Sequence, residues 1–169
     1  RLNAVLDCEP VVKEGTIGLD AEILDENGEP IILETGTVEF KDVTFSYPDS
    51  SGEVVLSNIN LKINKGEKIG ILGSTGCGKS TLVKLIARFY DTTSGSVYID
   101  GIDVKDYKFS ALRNKVAVVL QKSELFSGTI KDNICWGKED ATMEEVEYAA
   151  KIAQADTFIN GFVDKYDTY

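Results

Sequence analysis

In the stretch KIGILGSTGCGKST, Gly73 is followed after four residues by Gly78, Lys79 and Ser80. This Walker A spacing grips a polyphosphate when it follows a strand and opens a helix. Glycines at these places let successive backbone N–H groups turn inward around phosphate oxygens, and the start of the helix adds partial positive charge. Ser74, Thr75, Gly76 and Cys77 fill the loop between the two fixed glycines. Lys79 can then reach the β- and γ-phosphates, Ser80 can offer its hydroxyl to Mg²⁺, and Thr81 follows as a further phosphate donor. The glycines run GxxGxG, which is the wrong order for a dinucleotide fingerprint. Asn64-Lys65-Gly66-Glu67 nearly matches a guanine-reading NKxD, but it ends in Glu and precedes the loop instead of following it. It reads as a solvated turn.

These residues must be positioned by the elements around them. KIGILG is the expected strand ahead of the loop, and Leu82, Leu85, Ile86 and Phe89 at helical spacing predict a largely buried helix over 79–90. Upstream, Val38, Phe40, Val43 and Phe45, then Leu56, Ile59, Leu61 and Ile63, give two strands, expected to pair antiparallel. GSVYIDG predicts a short strand closing on an Asp100-Gly101 turn. The β-branched run VAVVL at 116–120 suits a central strand covered on both faces. Thr142 and Glu145 form a capping box ahead of an apolar helical stripe of Val146, Ala149, Ala150 and Ala153. Residues 1–7 read as the end of a helix. Residues 8–36, acidic and broken by Gly and Pro, read as a linker, with Asn27-Gly28 as an alternative hairpin turn.

Composition narrows the chemistry. With 28 acidic against 18 basic residues in 169, the net charge of −10 suits no nucleic-acid backbone, so a nucleic-acid partner is not expected. There is no histidine. That removes histidine general bases, His-Cys zinc sites and Ser-His-Asp triads. The three cysteines, Cys8, Cys77 and Cys135, show no CxxC pair and read as reduced thiols. Cys77, inside the loop at the start of a helix, sits where a thiol is open to alkylation. No apolar run approaches the roughly 18 residues of a membrane-spanning helix.

With the loop placed, the surrounding residues resemble the nucleotide-binding domain of an ATP-binding cassette (ABC) exporter of the multidrug or lipid type, over nearly the whole chain. TVEFKDVTFSYP resembles the family's first strand and A-loop, which puts Tyr47 where an aromatic stacks on adenine and Val55 where an aliphatic lies beside the same base. VAVVLQKSELFSGTIKDNI resembles the Q-loop region. Gln121 is then the residue whose amide coordinates Mg²⁺ or orients water near the γ-phosphate, and Lys79 and Gln121 are the candidate catalytic residues. Lys122 stands where the family usually has Asp or Glu. WGKEDATMEEVEYAAKIAQADTFI resembles the opening of the helical subdomain, while Val163 and Lys165 depart from the usual Pro and Gly.

The resemblance implies an α/β fold, a P-loop NTPase (RecA-like) core with an N-terminal antiparallel β-subdomain and the start of a helical subdomain, truncated before the signature sequence. It divides the chain into a linker from a preceding transmembrane domain (1–36), a nucleotide-binding core (37–126) and the beginning of the helical subdomain (127–169). It implies ATP and Mg²⁺ as cofactors. Its partners are a second nucleotide-binding domain and a transmembrane domain of the same chain, at the cytoplasmic face of a membrane. The signature sequence, the Walker B Asp with its catalytic Glu, the D-loop and the switch His do not occur in these 169 residues. Hydrolysis is therefore expected of the complete protein and not of this segment alone. The alternatives are a short ATP-binding module without turnover, or a soluble P-loop ATPase or kinase.

Overall fold

The computed structural model describes residues 12–18, 35–48, 52–119, 121–122 and 125–169. They fall into two compact units, one ending at Val118 and one running from Val119 to Tyr169. The expected helix end at 1–7 and the Asn27-Gly28 turn lie outside the described residues.

In the first unit, β1 (Val38–Phe45), β2 (Leu56–Ile63), β3 (Ser94–Ile99) and β4 (Ile102–Asp103) form one antiparallel sheet of order β2-β1-β3-β4. The apolar residues of β1 slip phase between Phe40 and Val43. A bulge there, with Asp42 at φ 50°, keeps Phe40, Val43 and Phe45 all facing the core. β3 and β4 are joined through Asp100 and Gly101, both at positive φ (54° and 78°), the backbone that a tight two-residue hairpin requires. Helix α1 (Lys79–Ile86) and helix α2 (Phe109–Lys115) complete the layer, contributing Leu82, Leu85, Ala111 and Leu112 to the core.

Two polar residues tie this core together. The Asp100 carboxylate accepts from the Gly36 and Thr37 amides and from Lys115 Nζ at 2.7 Å. Burial alone would raise its pKa, but Lys115 and the two amides together outweigh it and hold the carboxyl below its ordinary value. Tyr107 donates to the Ile99 carbonyl at 3.1 Å, and burial, with the Asp100 charge behind it, pushes the phenol up to about 12.

The helix predicted over 79–90 stops at Ile86. Arg88 adopts φ 50°, with Arg88 N–H donating to the Leu85 carbonyl and Phe89 N–H to the Lys84 carbonyl, the paired bonds of a Schellman ending. Glycine is the usual residue here, and an arginine in this conformation is held by what its side chain does. The guanidinium is buried, and it donates to the carbonyls of Lys13, Val104 and Lys105 and to Asp91. Backbone bonds between 15–17 and Asp106–Lys108 seal the same edge.

Two expected strands differ in the structure. Residues 68–73 and 116–119 join no ladder among the described residues, and Ile69, Ile71, Leu72 and Val119 are exposed. Such runs are held by strand neighbours at their edges and by layers on both faces. The four described strands form an antiparallel sheet of their own, and neither run joins a ladder on its two open edges, β2 and β4.

In the second unit, α3 (Ile130–Cys135), α4 (Met143–Ile152), α5 (Asp156–Ile159) and a short 3₁₀ turn (Lys165–Asp167) pack around Val146, Ala150, Ile159 and Tyr166. The Thr142/Glu145 capping box forms in both directions, Glu145 N–H to Thr142 Oγ1 at 3.3 Å and Thr142 N–H to the Glu145 carboxylate at 2.9 Å. The buried stripe of α4 is narrower than predicted, since Ala149 and Ala153 are exposed.

Candidate nucleotide site

The glycine loop ends at Gly78, whose positive φ (91°) turns the chain into α1, and Leu82 N–H closes the first helical bond on the Gly78 carbonyl at 2.9 Å. The first amides of any helix lack partners within it. At three other helices the chain supplies them itself: Thr129 and Asp132 box the start of α3, Thr142 and Glu145 that of α4, and the Glu14 carboxylate accepts from Phe109 N–H at the start of α2. At α1 no side chain caps the amides among the described residues, and the first turn carries no acid. An uncapped start behind a glycine loop is built to receive an anion.

Lys79 Nζ lies over the loop, donating to the Gly73 carbonyl at 2.9 Å and the Ser74 carbonyl at 2.6 Å, with Cys77 Sγ at 3.5 Å. Two carbonyls thus fix the ammonium over the loop. A cleft of about 420 Å³ opens beside it, lined by Gly76, Gly78, Lys79, Ser80 and Thr81 on one side and by Tyr47, Val54 and Val55 on the other. Gly73, Ser74, Thr75 and Cys77 complete the exposed loop outside that lining.

The far wall is set by the end of β1. Val55 N–H donates to the Phe45 carbonyl at 2.9 Å, which brings the start of β2 beside Tyr47. The Tyr47 ring meets Phe45 edge-on at 4.9 Å and Tyr90 edge-on at 5.1 Å, and its hydroxyl lies 2.9 Å from Thr81 Oγ1. The structure therefore brings together Tyr47, Val55, Gly76 and Gly78 through Thr81, residues separated by up to 34 positions. Gln121 lies in the second unit, exposed. Asn64–Glu67 forms the expected turn, with Asn64 N–H donating to the Glu67 carboxylate at 2.7 Å, which holds that carboxyl below its ordinary value.

Two contributors were missed in the sequence. Glu53 lines the cleft, and Tyr90 buttresses Tyr47. Nothing in the type or spacing of Glu53 distinguishes it from other acids. Tyr90, just beyond the last apolar residue of the α1 stripe, could have been suspected from its place at the helix end.

The donor set suits a magnesium nucleotide. Ser80 offers a hard hydroxyl oxygen at the cleft, and Mg²⁺ takes few protein ligands, leaving most of its shell to phosphate and water. Among the described residues no cluster of acids or cysteines forms a metal cage of its own.

Comparison with known proteins fits this geometry. The family model described as ABC transporter matches residues 56–166. The chain belongs to the ABC transporter family. With that membership come ATP binding and the P-loop NTPase fold. This ABC chain is 51% identical over 133 residues, 79% of its length, to the multidrug export ATP-binding/permease protein YgaD of Bacillus subtilis (strain 168). It is 46% identical over 140 residues, 83% of its length, to the multidrug export ATP-binding/permease protein SAOUHSC_02003 of Staphylococcus aureus (strain NCTC 8325 / PS 47). ABC transporter B family member 2 of Dictyostelium discoideum is 47% identical over 133 residues, 79% of this chain. The matched stretches span 23%, 24% and 10% of those three proteins, respectively. No helix among the described residues is long and apolar enough to cross a membrane.

Proposed function

We propose that the chain is the ATP-binding part of an exporter, in which binding and hydrolysis of MgATP drive a permease domain of the same polypeptide. The observation that carries this is the uncapped, acid-free start of α1 behind the glycine loop, with Lys79 held over it and an aromatic wall across the cleft. In this reading Tyr47 stacks on adenine and Val55 packs beside it. The amides of Gly73 through Thr81, with Lys79, hold the phosphates. Ser80 holds Mg²⁺, and the role proposed for Gln121, to coordinate Mg²⁺ or orient water near the γ-phosphate, comes from the family resemblance. Mg²⁺, when bound, neutralises charge on the β- and γ-phosphates.

The exposed apolar residues Ile69, Ile71, Leu72 and Val119 support a parallel RecA-like sheet in the complete protein. A second nucleotide-binding domain, a location at the cytoplasmic side of a membrane and transport of a drug-like or lipid substrate follow from the same reading. The printed names of the bacterial relatives, which join ATP binding to a permease, support it. The test is ATP hydrolysis by membranes carrying the complete polypeptide. Activity that vanishes in Lys79→Ala supports the proposal, and activity unchanged by that substitution refutes it.

A further inference from the structure

The bond between Tyr47 and Thr81 joins the two halves of the cleft, and it has a direction that the ligand decides. A threonine hydroxyl carries one proton and two lone pairs. If Thr81 donates to Tyr47, it faces the cleft with lone pairs only and repels a phosphate oxygen. If Tyr47 donates to Thr81, the Thr81 proton is left to point at the anion. The second arrangement satisfies all three oxygens in a chain in which each bond polarises the next.

Thr81 also needs to be held. A threonine in a helix can turn its hydroxyl back onto the carbonyl one turn earlier, which takes the donor away from any ligand. Here Thr81 is 5% exposed, and its hydroxyl lies 2.9 Å from the Tyr47 oxygen. The phenol, in turn, is fixed by edge contacts to Phe45 at 4.9 Å and Tyr90 at 5.1 Å.

We infer that Tyr47 acts on the phosphates as well as facing the base: its phenol O–H donates to Thr81 Oγ1 and thereby aims the Thr81 O–H into the phosphate cradle. Tyr47 is on this account a positioning residue for phosphate, working through Thr81, and Tyr90 sets where its hydroxyl lies. The inference rests on the reading of this cleft as an ATP site.

The test uses the full chain with MgATP by calorimetry, and magnesium tripolyphosphate, which has no base, by displacement of a fluorescent ATP analogue. Tyr47→Phe keeps the ring and removes only the hydroxyl. It is expected to weaken both ligands equally, about fivefold, the scale of one lost hydrogen bond. In a Thr81→Val background the same change should cost less than about 1.5-fold, because coupled residues are not additive. Thr81→Ser, which restores the hydroxyl, should restore the dependence on Tyr47. The inference is overturned if Tyr47→Phe is neutral, if it weakens ATP but not tripolyphosphate, if its loss is undiminished beside Thr81→Val, or if tripolyphosphate displaces nothing from the wild-type chain. Failure of the ATP reading looks different: Lys79→Ala would then leave MgATP affinity unchanged.

Discussion

The glycines around the loop differ in what an added methyl group would meet, and this sets a graded test. At Gly78, with φ 91°, a Cβ would lie 2.7 Å from Leu56 Cδ2 and 3.2 Å from the Val55 carbonyl oxygen. Leu56 is buried, so its side chain cannot swing away freely. The left-handed backbone costs a non-glycine residue roughly 1–2 kcal/mol. Overpacking against a filled wall adds about 1–3 kcal/mol. Gly78→Ala should therefore cost roughly 2–5 kcal/mol in all. Gly76, at φ 86° with no atom within 4 Å of the built Cβ, carries the backbone cost alone. At Gly70 the backbone is ordinary and the space open, so an alanine should change stability by less than about 0.5 kcal/mol. Urea denaturation of the three variants gives the order directly. MgATP affinity should fall in the same order, by about tenfold for each 1.4 kcal/mol that the ligand must spend restoring the loop. If Gly78→Ala is as stable as Gly76→Ala, or binds MgATP as well as the wild type does, the described packing of Gly78 against Val55 and Leu56 is wrong.

Other consequences follow from the residues that hold the first unit together. Asp100 has a depressed pKa in the folded state, so its contribution is present above the ordinary Asp value near 3.9 and is lost as pH falls through the depressed one. Asp100→Asn should lose roughly 2 kcal/mol at pH 7, with the gap to wild type closing in acid denaturation below about pH 4. Arg88→Met leaves three carbonyls and Asp91 without the guanidinium, and chemical denaturation should show a loss of about 3 kcal/mol. Cys77 is exposed in the loop, so a maleimide should label it and saturating MgATP should slow that labelling at least about tenfold, as read by peptide mapping. Equal labelling with and without MgATP would count against a formed site.

Legibility in the sequence followed how local each signal was. The helix start behind Gly78, the capping box at Thr142 and the Asp100-Gly101 turn are written within a few residues, and each forms as spelled, whereas the strand expected ahead of the glycine loop does not. The phase slip in β1 was also visible, as two residues instead of one between Phe40 and Val43, though only the bulge at Asp42 explains it. The early end of α1 was hidden, because the apolar stripe continues through Phe89 while the stop comes from a guanidinium whose partners lie as far away as Lys13. The runs at 68–73 and 116–119 carry strong strand character, yet a strand forms only against a neighbour, and neither run pairs with one among the described residues. Within the site, the candidate phosphate side was nameable from spacing. The base side was not: Tyr47 entered through a family resemblance, and its bond to Thr81 and its contact with Tyr90 join residues that no periodicity links.

The central claim is that this cleft holds a magnesium nucleotide through the loop and Lys79. Isothermal titration of MgATP into the chain, wild type beside Lys79→Ala, addresses it most directly. The account predicts one site per chain, saturable in the wild type and weakened at least about thirtyfold in Lys79→Ala, the scale of a charge-assisted contact of about 2 kcal/mol. Equal affinity in the two proteins, each shown to be folded by its denaturation curve, would contradict it.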